Sequence, residues 1–430
     1  MPDRHLVLIK GGRVVDMTGE RVADVLIEGG YVQAAGEPIS TPVGATVLDA
    51  AGCIVTPGLV DLHTHLRQPG REEAETVETG ARAAALGGFT AVVAMPNTEP
   101  ALDSAAAVRE VLELGTSAVC DVRVAGAITR GRLGRDLAPL GEMADLGVRL
   151  FTDDGDGVQD ARLMRRALEY ASALGVTLAQ HCEDKVLAAG GHMHEGEWSS
   201  RLGVPGQPAE AEELMVARDI ALARLTGGRV HFLHLSTAGS VAAVRAAKAE
   251  GLAVTAEAAP HHFTLTDAAL EGYDTLYKVN PPLRTAGDVA AVKAGLADGT
   301  IDAIATDHAP HAPEDKEVPF DQARPGMLGL ETALALALTQ LDLPVAEVLA
   351  LLSWNPARIA GLESSHGGPV AEGRPANLCV IDPAATWVVD PDALASRARN
   401  TPYACRKLTG RARHTLLRGE PVVVDGVATR

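Results

Sequence analysis

What this chain has little of narrows it first. Aromatic residues make up only 3% of its 430 positions, so a core must come from Ala, Val, Leu and Gly, a mix that suits small-residue helices around a buried sheet. Cysteine is sparse: Cys53, Cys120, Cys182, Cys379 and Cys405 form no Cys-x-x-Cys pair, and their odd number fits a reducing cytosol better than a disulfide scaffold. No apolar run approaches the roughly 18 residues needed to cross a bilayer. The opening Met-Pro-Asp-Arg-His lacks the basic-then-apolar pattern of a secretory signal, so the expectation is a soluble, cytoplasmic protein. Positive charge is also short. The formal net charge of −18 argues against nucleic acid or an anionic membrane as partner, while small anionic substrates, which respond to charge inside a pocket, stay open.

The length allows two or three domains, or one large barrel with an appendage. Residues 5 to 53 read as short strands broken by Gly-Gly turns, and Asn377–Asp382, Thr386–Asp390 and Glu420–Gly426 have the same texture at the other end. Neither end has enough strands to stand alone, so the two are expected to pair as one β-sandwich, built from residues 1–53 and 366–430. Between them, 54–365 alternate apolar strands with Ala- and Leu-rich helices. Strand candidates are Ile54–His65, Phe89–Asn97, Asp121–Thr129, Val148–Asp154, Val176–Asp184, Val230–Ser236, Leu252–His262 and Ala303–His311. Eight strands with helical crossovers predict an α/β fold of the (β/α)8 TIM-barrel type. An open doubly wound sheet is the runner-up, but no Gly-rich phosphate loop follows any strand.

In such a barrel the working residues sit at the C-terminal strand ends. The first candidate strand ends in His63-Thr-His65, and residues i and i+2 of a strand share a face, so both imidazoles can reach one metal ion. The other ends add Asn97, Asp153-Asp154, His181, His234, His261-His262, Asp307 and His311. Imidazoles and carboxylates converging on one barrel mouth suit a zinc-type site.

Seven motifs carry a closer likeness: DLHTHLRQPG, AMPNT, FTDDG, QHCED, HLS, VNPPLR and ATDHAPH. Residues 54 to 365 resemble the amidohydrolase superfamily, and in detail the dihydroorotases of the bacterial class with a zinc-bridging aspartate. That resemblance implies a zinc-dependent enzyme interconverting N-carbamoyl-L-aspartate and (S)-dihydroorotate, a step of pyrimidine biosynthesis. It implies two Zn²⁺ per subunit: one on His63, His65 and Asp307, a second on His181 and His234, with an aspartate of FTDDG and a hydroxide between them. Related hydantoinases use a carbamylated lysine for that bridge, near the position of Arg149, whose guanidinium stays protonated. Family spacing points to Asp154 as the bridge; strand parity alone leaves Asp153 open. Asp307 is then also the catalytic acid/base.

The substrate's free carboxylate needs a cationic or donor-rich cradle. Arg67, two residues beyond His65, can bind it through two parallel hydrogen bonds. The resemblance adds His65, Asn97 and His311 to that cradle, and assigns the ring amide to Asn280 and the Pro325-Gly326 backbone. Plain alternatives stand beside these: Asn280 as a turn residue before Pro281-Pro282, and Pro325-Gly326 as a loop turn. His261 and His262 are expected to make structural hydrogen bonds, Cys182 to point away from the site, and His192 and His194 to face solvent or lie in a loop. Gln68 departs from the glutamate usual in the family, and tuning rather than loss is expected. Two other readings share the motifs: a hydantoinase- or allantoinase-type hydrolase, and a non-catalytic partner of aspartate carbamoyltransferase. The sequence does not choose between a monomer, a homodimer and a complex with that transcarbamoylase.

Overall fold

The computed structural model describes residues 6–430; Met1–His5, including the His5 assigned above to the first strand, lie outside them. The eight expected barrel strands form, each shorter than its apolar run: Leu59–Thr64, Phe89–Ala94, Asp121–Val124, Leu150–Phe151, Thr177–Gln180, Val230–Phe232, Val254–Ala258 and Ala303–Ile304. Successive strands pair in parallel within groups of three and five. Parallel bridges Gly126–Phe151 and Thr64–His308 close the ring. Strand ends beyond the ladders run on as irregular backbone, and the functional motifs lie there.

Helices pack outside. Ala161–Leu174 starts where Asp160 accepts a hydrogen bond from the Leu163 N–H and stops at Gly175 with φ 68°, the left-handed geometry that favours glycine. Its buried face is Met164, Ala167, Leu168 and Ala171, the spacing of one helical stripe. Inside the barrel, Leu62, Val93, Met95, Ala125, Leu150, Ala179, Leu233 and Ala303 form an apolar plug beneath the polar strand ends.

The two chain ends join in one nine-stranded sheet. Its strands run in the order Val427–Ala428, Glu420–Val424, Lys407–Leu417, Leu378–Val388, Ile54–Pro57, Leu6–Asp16, Gly19–Glu28, Tyr31–Gly36, with Thr46–Asp49 parallel to Leu6–Asp16. Val7, Ile9, Val14, Val25, Ile27, Val55, Val380 and Leu416 fill a single core between its faces, which is the sandwich expected from both termini. Ile54–Pro57 is the seam, antiparallel to residues 378–381 and parallel to Arg13 and Val14. The run read as one strand, Ile54–His65, is therefore two strands serving two sheets, parted at Gly58. A Cβ there would fall 2.1 Å from Thr90 Oγ1, so only glycine lets the chain pass. A second difference is at Leu252–His262: the strand ends at Ala258, and His261 and His262 lie on a short helix, Pro260–Thr264.

Candidate active site

Strand ends gather five imidazoles and two aspartates within a few ångströms. His65 Nε2 is 3.1 Å and His63 Nε2 is 3.6 Å from Asp307 Oδ1. Asp154 Oδ1 lies 3.4 Å from His63 Nε2, 3.6 Å from His181 Nδ1 and 3.7 Å from His234 Nε2, while its Oδ2 is 3.6 Å from His65 Nε2. The two ring nitrogens of His181 and His234 are 3.0 Å apart. The fifth imidazole, His261, has its Nε2 4.0 Å from Asp307 Oδ2 and no hydrogen-bond partner, and burial brings it down to about 4. His262 donates Nε2–H to Pro281 O at 3.0 Å.

Electrostatics follow from that crowding. Burial opposes ionisation of Asp154, yet the His63 charge and the close imidazoles of His181 and His234 hold its carboxyl well below the usual range. Asp307 is likewise held low against its burial, by the hydrogen bond from His65 and the charge of His63. Backbone strain marks the same residues: φ is 47° at Asp307, 29° at His234 and 59° at Arg67, values side-chain-bearing residues rarely adopt outside sites that hold them there. Asp153 does other work. Its carboxylate accepts from the Ile128 and Thr129 N–H groups at 2.9 and 3.0 Å and from the Thr129 hydroxyl, tying the third strand's end to the fourth.

Beside the imidazoles opens a cavity whose lining includes Arg67, Asn97, Asn280, His311, Pro325 and Gly326. Arg67 donates Nε–H to Pro310 O at 3.1 Å, its only side-chain hydrogen bond among the described residues, so both terminal nitrogens are free for a ligand. Burial, and then the charge of Arg71, bring its guanidinium down to about 10, still protonated near neutrality. Asn97 Oδ1 is 3.0 Å from His65 Nδ1. Asn280 is not a bare turn residue: its Nδ2 donates to Glu183 Oε2 at 2.7 Å, leaving a buried Oδ1 without a partner. His311 donates Nε2–H to Pro325 O at 2.8 Å. The Gly326 N–H is engaged with Lys278 O at 2.8 Å and its carbonyl accepts from Asn400 at 3.1 Å.

A family model described as Dihydro-orotase-like matches residues 52–240. The dihydroorotase of Pelotomaculum thermopropionicum is 52% identical over 427 residues, 98% of this chain and 99% of the relative. That of Streptomyces coelicolor is 52% identical over 429 residues, again 98% and 99%. The chain belongs to the dihydroorotase family. Solved structures of lower identity share the fold over its whole length. The L-hydantoinase (dihydropyrimidinase) from Arthrobacter aurescens gives a TM-score of 0.88 at 26% identity, covering 99% of this chain and 97% of that one. A D-hydantoinase (dihydropyrimidinase) from Thermus sp. gives 0.85 at 26%, covering 98% and 96%.

Dihydroorotases are metal-dependent amidohydrolases, and this donor set fits a metal. Two groups of buried donors converge, His63–His65–Asp307 and His63–Asp154–His234. Ligand bonds of about 2.0–2.1 Å in a tetrahedron set neighbouring donor atoms roughly 3.3 Å apart, and the separations above run from 3.0 to 3.7 Å. His63 Nε2 is buried without a hydrogen-bond partner, which is costly unless something else takes its lone pair.

Several participants were not read from the sequence. Glu257, fully buried, accepts from His63 Nδ1 at 2.9 Å and faces His231 Nε2 at 2.9 Å; the hydrogen bonds hold it at about 2 against its burial. Asp61 accepts from the Thr306 N–H at 2.9 Å and its hydroxyl at 2.5 Å, stapling the first strand to the eighth. The signal for both was an acid inside an apolar run. Asn400, from the C-terminal segment, holds Ala309 O, Gly326 O and the His311 N–H, and only the tertiary structure reveals it. His194 is buried against Arg284 rather than solvent-facing. Cys182 is buried in the outer core. Arg149 is exposed, donating to Ala144 O and Val148 O. Gln68 accepts from the Val77 N–H at 3.0 Å, serving a free donor at a helix start as a glutamate would.

Proposed function

We propose that this chain cyclises N-carbamoyl-L-aspartate to (S)-dihydroorotate with loss of water, reversibly, with two Zn²⁺ ions per subunit. The observation that carries it is one cavity with a wall of buried imidazoles and carboxylates facing a free guanidinium fork. Full-length identity of about half to dihydroorotases supports the same reading. His63, His65 and Asp307 would hold one ion, His181 and His234 the other, with Asp154 shared. When bound, zinc lowers the pKa of water and polarises a carbonyl oxygen, which attack on an unactivated amide requires.

The chain's own residues do the rest. Arg67 takes the substrate carboxylate in two parallel bonds, flanked by Asn97 and His311, and so fixes the ring's face toward Asp307. Asp307, ionised, accepts the proton from the attacking water and returns it to the ring nitrogen as the C–N bond breaks. In the biosynthetic direction the ureido nitrogen attacks the side-chain carboxylate, Asp307 takes its proton and passes it to the departing oxygen, and with one further proton from solvent that oxygen leaves as water. The unpartnered Asn280 Oδ1 supports a contact to a ring N–H. At Pro325-Gly326 the Gly326 N–H is already taken, so the proposed contact there uses a carbonyl oxygen.

Purified, zinc-loaded protein should hydrolyse dihydroorotate, measured by loss of its ultraviolet absorbance. Turnover of hydantoin or allantoin in its place would shift the assignment to those hydrolases. Metal binding without turnover of any of the three would revive the non-catalytic partner of aspartate carbamoyltransferase. A homodimer, and association with that transcarbamoylase, belong to the same proposal and are read by sedimentation. The cytoplasmic location rests on five unpaired cysteines. Among the described residues no helix is long and apolar enough to cross a membrane.

A further inference from the structure

His63 is the one residue common to both groups of metal donors, so its ring orientation matters twice. The ring is completely buried and is held from behind. Its Nδ1 meets Glu257 Oε1 at 2.9 Å, the other carboxylate oxygen meets His231 Nε2 at 2.9 Å, and His231 Nδ1 meets Thr255 Oγ1 at 2.8 Å. A carboxylate only accepts, so Nδ1 of His63 must carry a proton, and Nε2 is the nitrogen left to lend its lone pair once a metal displaces any proton there. That nitrogen faces Asp154 and Asp307 and has no hydrogen bond.

We infer that Glu257 is a positioning residue for metal binding: through Nδ1 it fixes the tautomer and plane of His63, and His231 fixes Glu257 in turn. The three residues stand on three strands, the first, sixth and seventh, so the chain of bonds spans the barrel interior beneath the mouth. A carboxylate behind a ligating imidazole also makes that imidazole a stronger donor, and loss of such a partner costs about 10–100-fold in metal affinity. The competing account is a structural staple, an acid retained only to join strands. It predicts lost stability with unchanged metal affinity.

This rests on the zinc reading above, and one experiment separates the two. Zinc retained against a graded chelator series is measured for wild type, Glu257→Gln and His231→Gln, alongside thermal unfolding of the metal-free proteins. Glu257→Gln should bind zinc about 10–100-fold more weakly, and added zinc should restore its turnover. His231→Gln, acting one residue further back, should show a smaller loss in the same direction and carries the test if Glu257→Gln does not fold. Variants that bind zinc within twofold of wild type, whatever their melting temperatures, overturn the inference alone. Wild type that binds no zinc and leaves dihydroorotate untouched overturns the functional reading beneath it.

Discussion

The cavity has two unlike walls. On one side His65, His181, His234, Asp154 and Asp307 stand at strand ends, all buried, with His63 packed behind them. On the other side Arg67, Arg71, His311, Arg324, Pro325 and Gly326 stand on loops after the first and eighth strands. Nothing in a β-ladder orients this second group. It is tied by side-chain contacts, some local and some distant in sequence: Asp315 reaches Arg71 at 2.5 Å, Arg324 at 3.1 Å and His311 at 3.6 Å, and Lys316 donates to Arg324 O at 2.8 Å and Lys278 O at 3.3 Å. On the proposed reading, the chemistry would sit just beyond the strand ends, and recognition on loops that can be altered without moving those ends.

The comparison is tested hardest at the strand-end wall. Asp307→Asn keeps the shape and removes the proton acceptor, so kcat for dihydroorotate should fall about 10³-fold or more, with the melting temperature little changed. A variant retaining a tenth of wild-type turnover would remove Asp307 from the chemistry. Next come the paired aspartates. Asp154→Ala should lose zinc by mass spectrometry, whereas Asp153→Ala should keep it and lose about 1–3 kcal/mol of stability through the orphaned Ile128 and Thr129 donors. Equal zinc losses would sink the assignment of Asp154 as the bridge.

The loop wall should respond in KM rather than kcat. Arg67→Lys swaps a fork for a point charge, and KM for dihydroorotate should rise about 10–100-fold with kcat within a few-fold. If kcat collapses and KM holds, the two walls are not separable. Asp315→Asn is gentler, since it leaves every cavity side chain in place while weakening the tie among Arg71, Arg324 and His311. A rise of about two- to fivefold in KM is expected, on the scale of partly exposed ion pairs.

The same division explains what could be read from the chain alone. His63 and His65 were legible because strand alternation is a rule of local geometry, and His181, His234 and Asp307 because each follows an apolar run that must be a buried strand. Parity did not separate Asp153 from Asp154, because the fourth strand's ladder ends at Phe151 and irregular backbone carries both. Ile54–Pro57 passed for barrel, since an apolar run does not say which sheet it joins. The ties made by Asn400, Asp315 and Lys316 span long stretches of sequence or depend on a loop's path, and no local pattern encodes them.

The smallest effect concerns the loop's anchor. Lys316 is buried, its ammonium held by two backbone carbonyls and facing the charge of Lys278. Burial first, and Lys278 second, bring it from 10.5 down to about 7. A lysine lowered on folding binds its proton less tightly in the native state than in the unfolded chain. Between about pH 7 and pH 10.5 the unfolded chain therefore carries the extra proton, and this residue's contribution to stability rises with pH across that window. Below pH 7 both states are protonated and the contribution is flat, at its least favourable. Other groups titrate too, so the readout is a difference: unfolding free energy of wild type minus that of Lys316→Met, from urea titrations at several pH values. That difference should climb from pH 7 to 10 with a slope of at most about 1.4 kcal/mol per unit. A flat difference would mean the ammonium is as well solvated in the loop as in water, and the loop wall would then owe nothing to this buried charge.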